Sequence, residues 1–313
     1  EVAVEEVERN PPPPFTTDEM LRAAAAEMKL PAGKIMALAQ DLFELGLITY
    51  HRTDSTRVST RGMEVAREYI VDRFGDETLF RPRAWEITGP GIQAAHECIR
   101  PTRSIDVRTL SRLVRTGVYR FPRRLTPAHY KLYDLIFRRF VASQMDSAVI
   151  RVQKVRLTNS AAAESIELEV PFEVVKEGFT KVLAVRVRPR VEPGTYSVLS
   201  VRKRTVPAVY LYREGDLVAE MKRRRIGRPS TYARIIDTLK EEGYVREYGG
   251  RLVPTKLGIE VYEYLSERFG RMVSEELTRD LEELTDRVRS GEVDYLDALR
   301  SIREQVAALP EAV

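Results

Sequence analysis

The spacing of apolar residues changes twice along this chain of 313 residues, and these changes constrain its fold more than any other feature. Up to residue 145 the apolar residues recur mainly at the period of a helix, whereas from Ser147 to Leu157 they alternate with polar residues. Such alternation is typical of a strand, because successive side chains point to opposite faces. After residue 208 the helical period returns. Further strands are predicted at 166–170, 181–187 and 196–202.

A short alternating run precedes the first helical region. Val2, Val4 and Val7 stand among acidic residues and predict an edge strand, which the prolines from Pro11 to Pro14 end. We expect this strand to join the later sheet, so that the first helical region is an insertion within a sheet domain. The sequence therefore predicts an α+β fold in four parts: a hinge-domain strand at 1–10, a helical domain at 11–145, a β-rich hinge domain at 146–207 and a second helical domain at 208–313.

Caps and breakers give the helix boundaries in the first helical region. Thr17 is predicted to cap a helix that runs to Met28. Pro31 opens a second helix, and Gly46 ends it before a strand that reaches Tyr50. Further helices are predicted at 61–74 and across 104–145.

A weak internal repeat links the two helical regions. Pro31 to Tyr50 reads as a helix, a glycine and a strand that ends in tyrosine, and Pro229 to Tyr248 reads the same way. Residues 247–253 then predict a hairpin turn. Two helices and a hairpin form a winged-helix pattern, which is common in nucleic-acid-binding proteins, so we predict two winged-helix-like units. Chance similarity between two helix–turn–strand segments is the alternative.

Positive charge is segregated along the chain, although the formal net charge is only +4. Between Arg100 and Phe140 there are eleven Lys or Arg residues and two acids, and residues 221–228 carry five basic residues and no acid. Segregated basic stretches are typical of a surface that binds phosphates. For any single cluster, a solvated helix face is the simpler interpretation.

Several classes of protein are disfavoured by what the sequence does not contain. No apolar run approaches the ~20 residues that span a bilayer, so no membrane association is expected. The single cysteine, Cys98, excludes an internal disulfide and a four-cysteine zinc site, and it fits a reducing compartment such as the cytoplasm. No phosphate-binding loop of the G-x-x-x-x-G-K-[ST] type is present, so no ATP site is expected. Because the first residue is Glu rather than Met, we expect the chain to be processed or cut from something longer.

Tyr50 and Arg52 are the residues that most directly indicate chemistry. They lie two positions apart in a predicted strand, so their side chains point the same way. A phenol ordinarily titrates near ~10, and a neighbouring guanidinium favours the phenolate form and holds a phosphate. The pair therefore suits attack on a phosphodiester. A half-buried strand tyrosine beside a solvated arginine is the plain alternative.

Five stretches, in the same order as in the family, resemble type IA DNA topoisomerases. The first is Leu-Ile-Thr-Tyr-His-Arg-Thr-Asp-Ser-Thr-Arg-Val-Ser at 47–59, which matches the active-site signature of that family. The others are Ala-His-Glu-Cys-Ile-Arg-Pro-Thr at 95–102, the segment from Leu132 to Met145, Ile-Gly-Arg-Pro-Ser-Thr-Tyr-Ala at 226–233 and Pro-Thr-Lys-Leu-Gly at 254–258. His51 and the run from Pro11 to Thr17 are most similar to the reverse gyrase branch.

The resemblance implies a role for each matching residue. It implies that Tyr50 attacks single-stranded DNA and becomes joined to a 5′-phosphate, with Arg52 on the scissile phosphate and His96 near the break. Arg100 would follow His96 on the same helix face if that stretch were helical. The DNA-binding residues that the resemblance implies are Arg100, Arg228, Ser230, Thr231 and Tyr232. Without it, we would interpret His96 as a hydrogen-bonded loop residue and the residues around Ser230 as ordinary helix capping.

The resemblance also implies what this chain lacks. The family holds its Mg²⁺ ligands in a Toprim domain that precedes the matching part, so no metal site is expected here and the acidic run at 291–297 is interpreted as a helix start. The implied fold is part of a toroid, and the implied partners are single-stranded and negatively supercoiled DNA, the Toprim domain and a helicase-like module. The rival hypotheses are a non-catalytic winged-helix DNA-binding module and, less favoured, a tyrosine recombinase.

Overall fold

The computed structural model describes residues 2–85, 96–159, 162–197, 199–203, 205–206 and 208–307. Ala95, which begins one of the resembling stretches, Glu1 and the last six residues of the predicted final domain lie outside these ranges. Within them, every helix is too short or too polar to cross a lipid bilayer.

The helices are α1 Thr17–Met28, α2 Ala32–Glu44, α3 Thr60–Phe74, α4 Val107–Arg115, α5 Pro127–Ser143, α6 Glu214–Arg223, α7 Tyr232–Glu241, α8 Lys256–Phe269, α9 Glu275–Arg289 and α10 Tyr295–Ala307. The strands are β1 Val2–Arg9, β2 Ala148–Asn159, β3 Ala162–Lys176, β4 Val245–Tyr248 and β5 Arg251–Pro254.

The main sheet joins the two ends of the first helical region. Its three strands are antiparallel in the order β1-β2-β3, and β1 pairs with β2 from Val2 opposite Val155 to Arg9 opposite Ala148. The predicted edge strand is therefore present. The chain leaves the sheet after Arg9 and returns to it at Ala148, so α1 to α5 lie between two neighbouring strands.

Two predicted strands in this region were wrong. The described residues of 181–187 and 196–202 are not in strands. Instead, the buried amide of Gln153 donates a hydrogen bond to the Val191 carbonyl at 2.9 Å and accepts one from the Val191 N–H at 2.8 Å. These two hydrogen bonds attach the backbone at Val191, between the two predicted strands, to β2 through a side chain. Pro189 and Pro193 lack the N–H that a further ladder would need.

The helices between β1 and β2 pack around α5. Tyr133, Phe137 and Phe140 of α5 are buried, and α1, α2, α3 and α4 all contact that helix. The predicted helices at 20–28, 31–45 and 61–74 are present, with one change of cap. The N-cap of α1 is Thr16 instead of Thr17. The Thr17 hydroxyl bonds to the carbonyls of His51 and Thr53.

After the sheet, two helices and a hairpin follow in the predicted order. α6 and α7 precede β4 and β5, and Tyr248 pairs with Arg251 across Gly249 and Gly250. These glycines have φ of 58° and 74°, which a two-residue hairpin turn of the primed type requires. The first predicted unit has no hairpin, and its predicted strand through Tyr50 and Arg52 was wrong, since Ile48 forms only an isolated bridge with Pro101 and residues 49–52 are not in a strand. The winged-helix interpretation of either unit stays a prediction.

The two helical regions contact each other along α1, α2 and α6. Glu214, at the start of α6, is buried. Its carboxylate accepts a hydrogen bond from the Ala32 N–H at the start of α2 and forms an ion pair with Lys240 at 2.7 Å. Because α2 has no side-chain cap of its own, Glu214 supplies one. Gly215 lies against the α1 backbone, where a Cβ would sit 2.8 Å from the Arg22 Cα.

His51 is a fully buried ionisable residue in this core. Its side chain is 0% exposed, and neither ring nitrogen has a hydrogen-bond partner in the described part of the chain. Burial, together with the smaller effect of the Arg52 charge, lowers the pKa of His51 from 6.5 to about 4. The imidazole is therefore neutral at pH 7.

This burial predicts a pH dependence of stability. Between pH 6.5 and 4 the unfolded chain binds more protons at His51 than the folded chain, so the free energy of unfolding falls as the pH drops through that window. In His51→Leu, the loss of unfolding free energy between pH 7 and 4.5 should be smaller by about 2 kcal/mol. Urea unfolding at both pH values measures it. Equal losses in the variant and the unchanged chain would show that His51 is not responsible.

Candidate active site

Tyr50 lies on a short segment that hydrogen bonds fix on both sides. On one side, Thr17 at the start of α1 donates its N–H to the Thr53 carbonyl at 2.8 Å. The Thr17 hydroxyl donates to the carbonyls of His51 at 2.8 Å and Thr53 at 3.0 Å, and accepts from the Thr53 N–H at 2.8 Å. The backbone just after Tyr50 is thus held against a helix end.

The backbone just before Tyr50 pairs with the segment that carries His96. Thr49 donates its N–H to the Arg100 carbonyl at 2.9 Å, and its hydroxyl donates to the Cys98 carbonyl at 2.7 Å and accepts from the Arg100 N–H at 2.9 Å. This second set of bonds brings Tyr50 and His96 together although 46 positions separate them in the sequence.

The Tyr50 ring is 37% exposed and lies among three other rings. The ring centroids are 5.3 Å from Phe43, 5.5 Å from His96 and 5.7 Å from His51. Of these three neighbours, His51 is fully buried, whereas Phe43 and His96 are half-buried. The predicted proximity of Tyr50 and His96 is present, and the phenol is accessible.

Arg52 is exposed and free of hydrogen bonds and ion pairs within the described ranges. Other arginines of the described ranges pair with acids, as Arg100 does with Glu97 and Arg138 with Asp134. An unpaired guanidinium two residues from an accessible phenol is a ready binding site for an anion, and its planar fork fits a phosphate.

Arg100 lies in a different environment from the one we expected. The stretch from His96 is not helical, and Arg100 is buried with its guanidinium bonded to both oxygens of Glu97, at 2.7 and 3.0 Å, and to the Pro101 carbonyl at 2.9 Å. Burial alone would raise the pKa of Glu97, but bonds from Arg100 and Ser59 hold it below its ordinary value. In this arrangement Arg100 orients the segment that carries His96 and does not present its charge to a strand of DNA.

The Arg228 side chain is also engaged by the protein. Its guanidinium pairs with Glu282 at 3.1 Å and with Asp286 at 2.8 Å, which ties the turn before α7 to α9. The Thr231 hydroxyl accepts a hydrogen bond from the Arg228 N–H at 2.8 Å, whereas Ser230 is exposed. The Thr231 hydroxyl thus closes the turn on Arg228 and makes no side-chain cap bond to α7, and Ser230 is open to solvent.

The Tyr232 ring does not offer a surface on which a base could stack. It is 4% exposed, and burial, together with the charges of Asp18 and Asp54, raises the pKa of its phenol. Asp18 is itself buried and pairs with Lys222 at 2.8 Å. The expectation of an open stacking platform at Tyr232 is corrected, since this ring is buried in the core.

Cys98 is buried and free, and burial raises the pKa of its thiol. No group of three or more His, Cys, Asp or Glu side chains that could hold a metal ion occurs within the described ranges. At 291–297, Asp294 accepts a hydrogen bond from the Leu296 N–H at 2.8 Å, so this acidic run is a helix start as predicted. The residues described here do not fit a Mg²⁺ site.

Sequence reasoning missed the residues that hold Tyr50 in place. Thr17 was interpreted as a helix cap, and Thr49 and Phe43 were not singled out. The hydrogen bonds of Thr17 and Thr49 join positions 34 to 51 residues apart in the sequence, and the contact of Phe43 with Tyr50 depends on side-chain packing. The position of Thr49 immediately before Tyr50 was the one available signal.

Comparison with known proteins places this geometry in a family. A family model described as DNA topoisomerase matches residues 1–300. Reverse gyrase 1 of Aquifex aeolicus is 48% identical over 306 residues, which cover 97% of this chain and 26% of that protein. Reverse gyrase of Pyrococcus furiosus is 46% identical over 311 residues, which cover 98% and 25%. The chain thus spans about a quarter of the length of these curated relatives.

A solved structure gives the same result for the fold. Full-length topoisomerase I from Thermotoga maritima superposes with a TM-score of 0.80 at 31% sequence identity, covering 99% of this chain and 52% of that one. The resemblance carried by the five sequence stretches is therefore confirmed. The chain belongs to the DNA topoisomerase family, among the type IA enzymes and with reverse gyrases as similar relatives.

Proposed function

We propose that this chain carries the nucleophile of a reverse gyrase-like type IA topoisomerase and that Tyr50 is that nucleophile. The observation that supports the proposal best is an accessible phenol, 5.5 Å from His96 between ring centroids, on a segment fixed on both sides and two residues before the unpaired Arg52. The reaction would be transient cleavage of one DNA strand, passage of another strand and resealing.

In the cleavage step, the Tyr50 oxygen attacks the phosphorus of a phosphodiester. A bond forms between that oxygen and the 5′-phosphate, and the bond to the 3′-oxygen breaks. The phenolic proton is lost and the departing 3′-oxygen gains a proton, so the step is balanced without ATP. Because one ester replaces another, the reverse attack by the 3′-hydroxyl reseals the strand.

Arg52 and His96 complete the proposed site. Negative charge accumulates on the phosphate oxygens during attack, and the Arg52 guanidinium would stabilise it. His96 faces the Tyr50 ring from the neighbouring segment, so it would contact the phosphate near the break. Ser230, which is exposed at the turn before α7, would contact the DNA backbone, while Arg100, Arg228, Thr231 and Tyr232 would position neighbouring segments.

The remaining parts of the reaction would come from outside these residues. We propose that a Toprim domain binds Mg²⁺ and that a helicase-like module accompanies it, since the relatives are much longer than this chain. The substrates would be single-stranded and negatively supercoiled DNA, and the protein would act in the cytoplasm. A non-catalytic winged-helix module is not favoured, because it gives no reason for the arrangement of Tyr50, Arg52 and His96.

Tyr50→Phe tests the nucleophile. In protein that carries a Toprim domain together with this chain, the variant should form no covalent adduct with a labelled oligonucleotide on a denaturing gel, because the attacking oxygen is gone. Its affinity for single-stranded DNA should stay within about twofold, since the ring and its packing are kept.

Tyr248→Phe is the matched control for this variant. Tyr248 is the tyrosine at the corresponding place of the internal repeat, and it is 83% exposed at the end of β4. Its variant should form adducts at the unchanged rate. Adducts in Tyr50→Phe, or their loss in Tyr248→Phe, would contradict the proposal.

Arg52→Ala tests the charge next to the phenol. Loss of one group that stabilises developing charge lowers such rates by roughly 10²–10³, so the rate of single-turnover cleavage should fall by about that factor. Arg61→Ala, an exposed arginine of α3 that pairs with Glu64, should change the rate less than twofold. A rate for Arg52→Ala within twofold of the unchanged protein would remove Arg52 from the site.

A further inference from the structure

Three arginines form a stripe on the outer face of α4. Arg108, Arg112 and Arg115 are all exposed, and none makes a hydrogen bond or ion pair with the side chains that the structure describes. At about 100° per residue they fall within roughly 60° of one another around the helix. They rise by about 6.0 and 4.5 Å from one to the next.

The opposite face of α4 fixes the direction of this stripe. Leu110 is buried, and Val107 and Val114 pack on the core beside it. The Asp106 side chain accepts a hydrogen bond from the Thr109 N–H at 2.8 Å and caps the helix. The arginines therefore project from a helix that is anchored along its inner side.

The positive charge of this stripe is uncompensated, unlike that of other exposed helices. Several arginines of α9 and α10 have acidic partners three positions away: Arg279 pairs with Glu276, Arg289 with Asp286 and Arg300 with Asp297. The α4 sequence contains no acid. Like charges four residues apart on a helix repel each other, so a bound polyanion would relieve this repulsion.

We propose that the Arg108–Arg112–Arg115 stripe is a second DNA-binding surface, which docks the phosphate backbone of duplex DNA. It goes beyond the cleavage of a single strand at Tyr50 and rests on the proposed function only in taking DNA as the substrate. Binding here would be independent of base sequence, because arginine forks recognise phosphate oxygens. A duplex held on α4 would be kept close to the domain that carries Tyr50.

The shape of the surface favours a duplex over a single strand. The stripe lies on a convex helix, whereas proteins bind single strands in grooves with aromatic rings on which bases stack. Two rings that follow α4 in the sequence are engaged with other side chains: the Arg103 guanidinium lies over Tyr119 at 5.4 Å, and Phe121 contacts Tyr119 at 5.9 Å. Duplex DNA offers about one charge per 1.7 Å of its axis, which a rigid row of cations can use.

The experiment compares the salt dependence of binding between two triple variants of the 313-residue chain. The first is Arg108→Gln, Arg112→Gln and Arg115→Gln. The control is Arg287→Gln, Arg289→Gln and Arg300→Gln, which removes the same charge from exposed arginines that have acidic partners. Fluorescence anisotropy gives the Kd for a labelled duplex of about two helical turns, and for one of its strands alone, over a series of KCl concentrations.

We expect the α4 variant to weaken duplex binding at least about tenfold near physiological salt. The slope of log affinity against log salt should become less steep by about 2.7, or about 0.9 for each phosphate that an arginine no longer neutralises. The control should change the slope by less than about 0.5, and single-strand affinity should fall less than duplex affinity. Arg112→Gln alone should change the slope by about 0.9, which keeps the test valid should the triple variant unfold.

Two results would overturn the proposal. One is a duplex slope that stays unchanged in a folded α4 variant, as it would if α4 faced an acidic protein segment instead of DNA. The other is an equal loss of affinity in the control variant or for the single strand. Because Tyr50 is intact in both triple variants, adduct formation is scored separately, and failure of the α4 surface leaves the Tyr50 proposal standing.

Discussion

The hydrogen bonds of Thr17 and Thr49 are the interactions on which the geometry of the site depends. Thr17 fixes the backbone after Tyr50 to the start of α1, and Thr49 fixes the backbone before it to the segment of His96. The Tyr50 side chain is therefore accessible although its own backbone is locked. A reacting group that is already held in place loses less entropy when the transition state forms, so these hydrogen bonds would favour the reaction.

Some arginines of this chain are paired with acids and others are not, and sequence similarity does not tell the two kinds apart. Arg100 and Arg228 lie in stretches that resemble the family, yet their charges are used within the protein, on Glu97 and on Glu282 with Asp286. Arg52 and the α4 stripe have no such partners within the described ranges. Since an arginine already bonded to a carboxylate must break that pair to bind a phosphate, the unpaired group is the better candidate for DNA binding.

Much of the architecture could be predicted from local signals in the sequence. Val2, Val4 and Val7 predicted the edge strand, and the glycine pair at 249–250 predicted the hairpin, because side-chain alternation and φ > 0 turns are local properties. The family signature also led to Tyr50 and His96 before their proximity was visible. Features that depend on distant contacts could not be predicted. The sequence favoured a stacking platform at Tyr232, but the fold buries this ring in the core. The strands expected at 181–187 and 196–202 did not form, because a strand requires a neighbouring strand as a hydrogen-bonding partner.

The central claim is that the Tyr50 oxygen becomes esterified to DNA, and one measurement tests it directly. The covalent adduct is trapped with a short oligonucleotide, digested with trypsin and analysed by tandem mass spectrometry. Cleavage after Lys34 and Arg52 isolates a peptide of residues 35–52, in which Tyr50 is the only tyrosine. The account predicts that this peptide carries a nucleotide linked through its 5′-phosphate. A nucleotide on any other peptide, or a linkage through a 3′-phosphate, would contradict it.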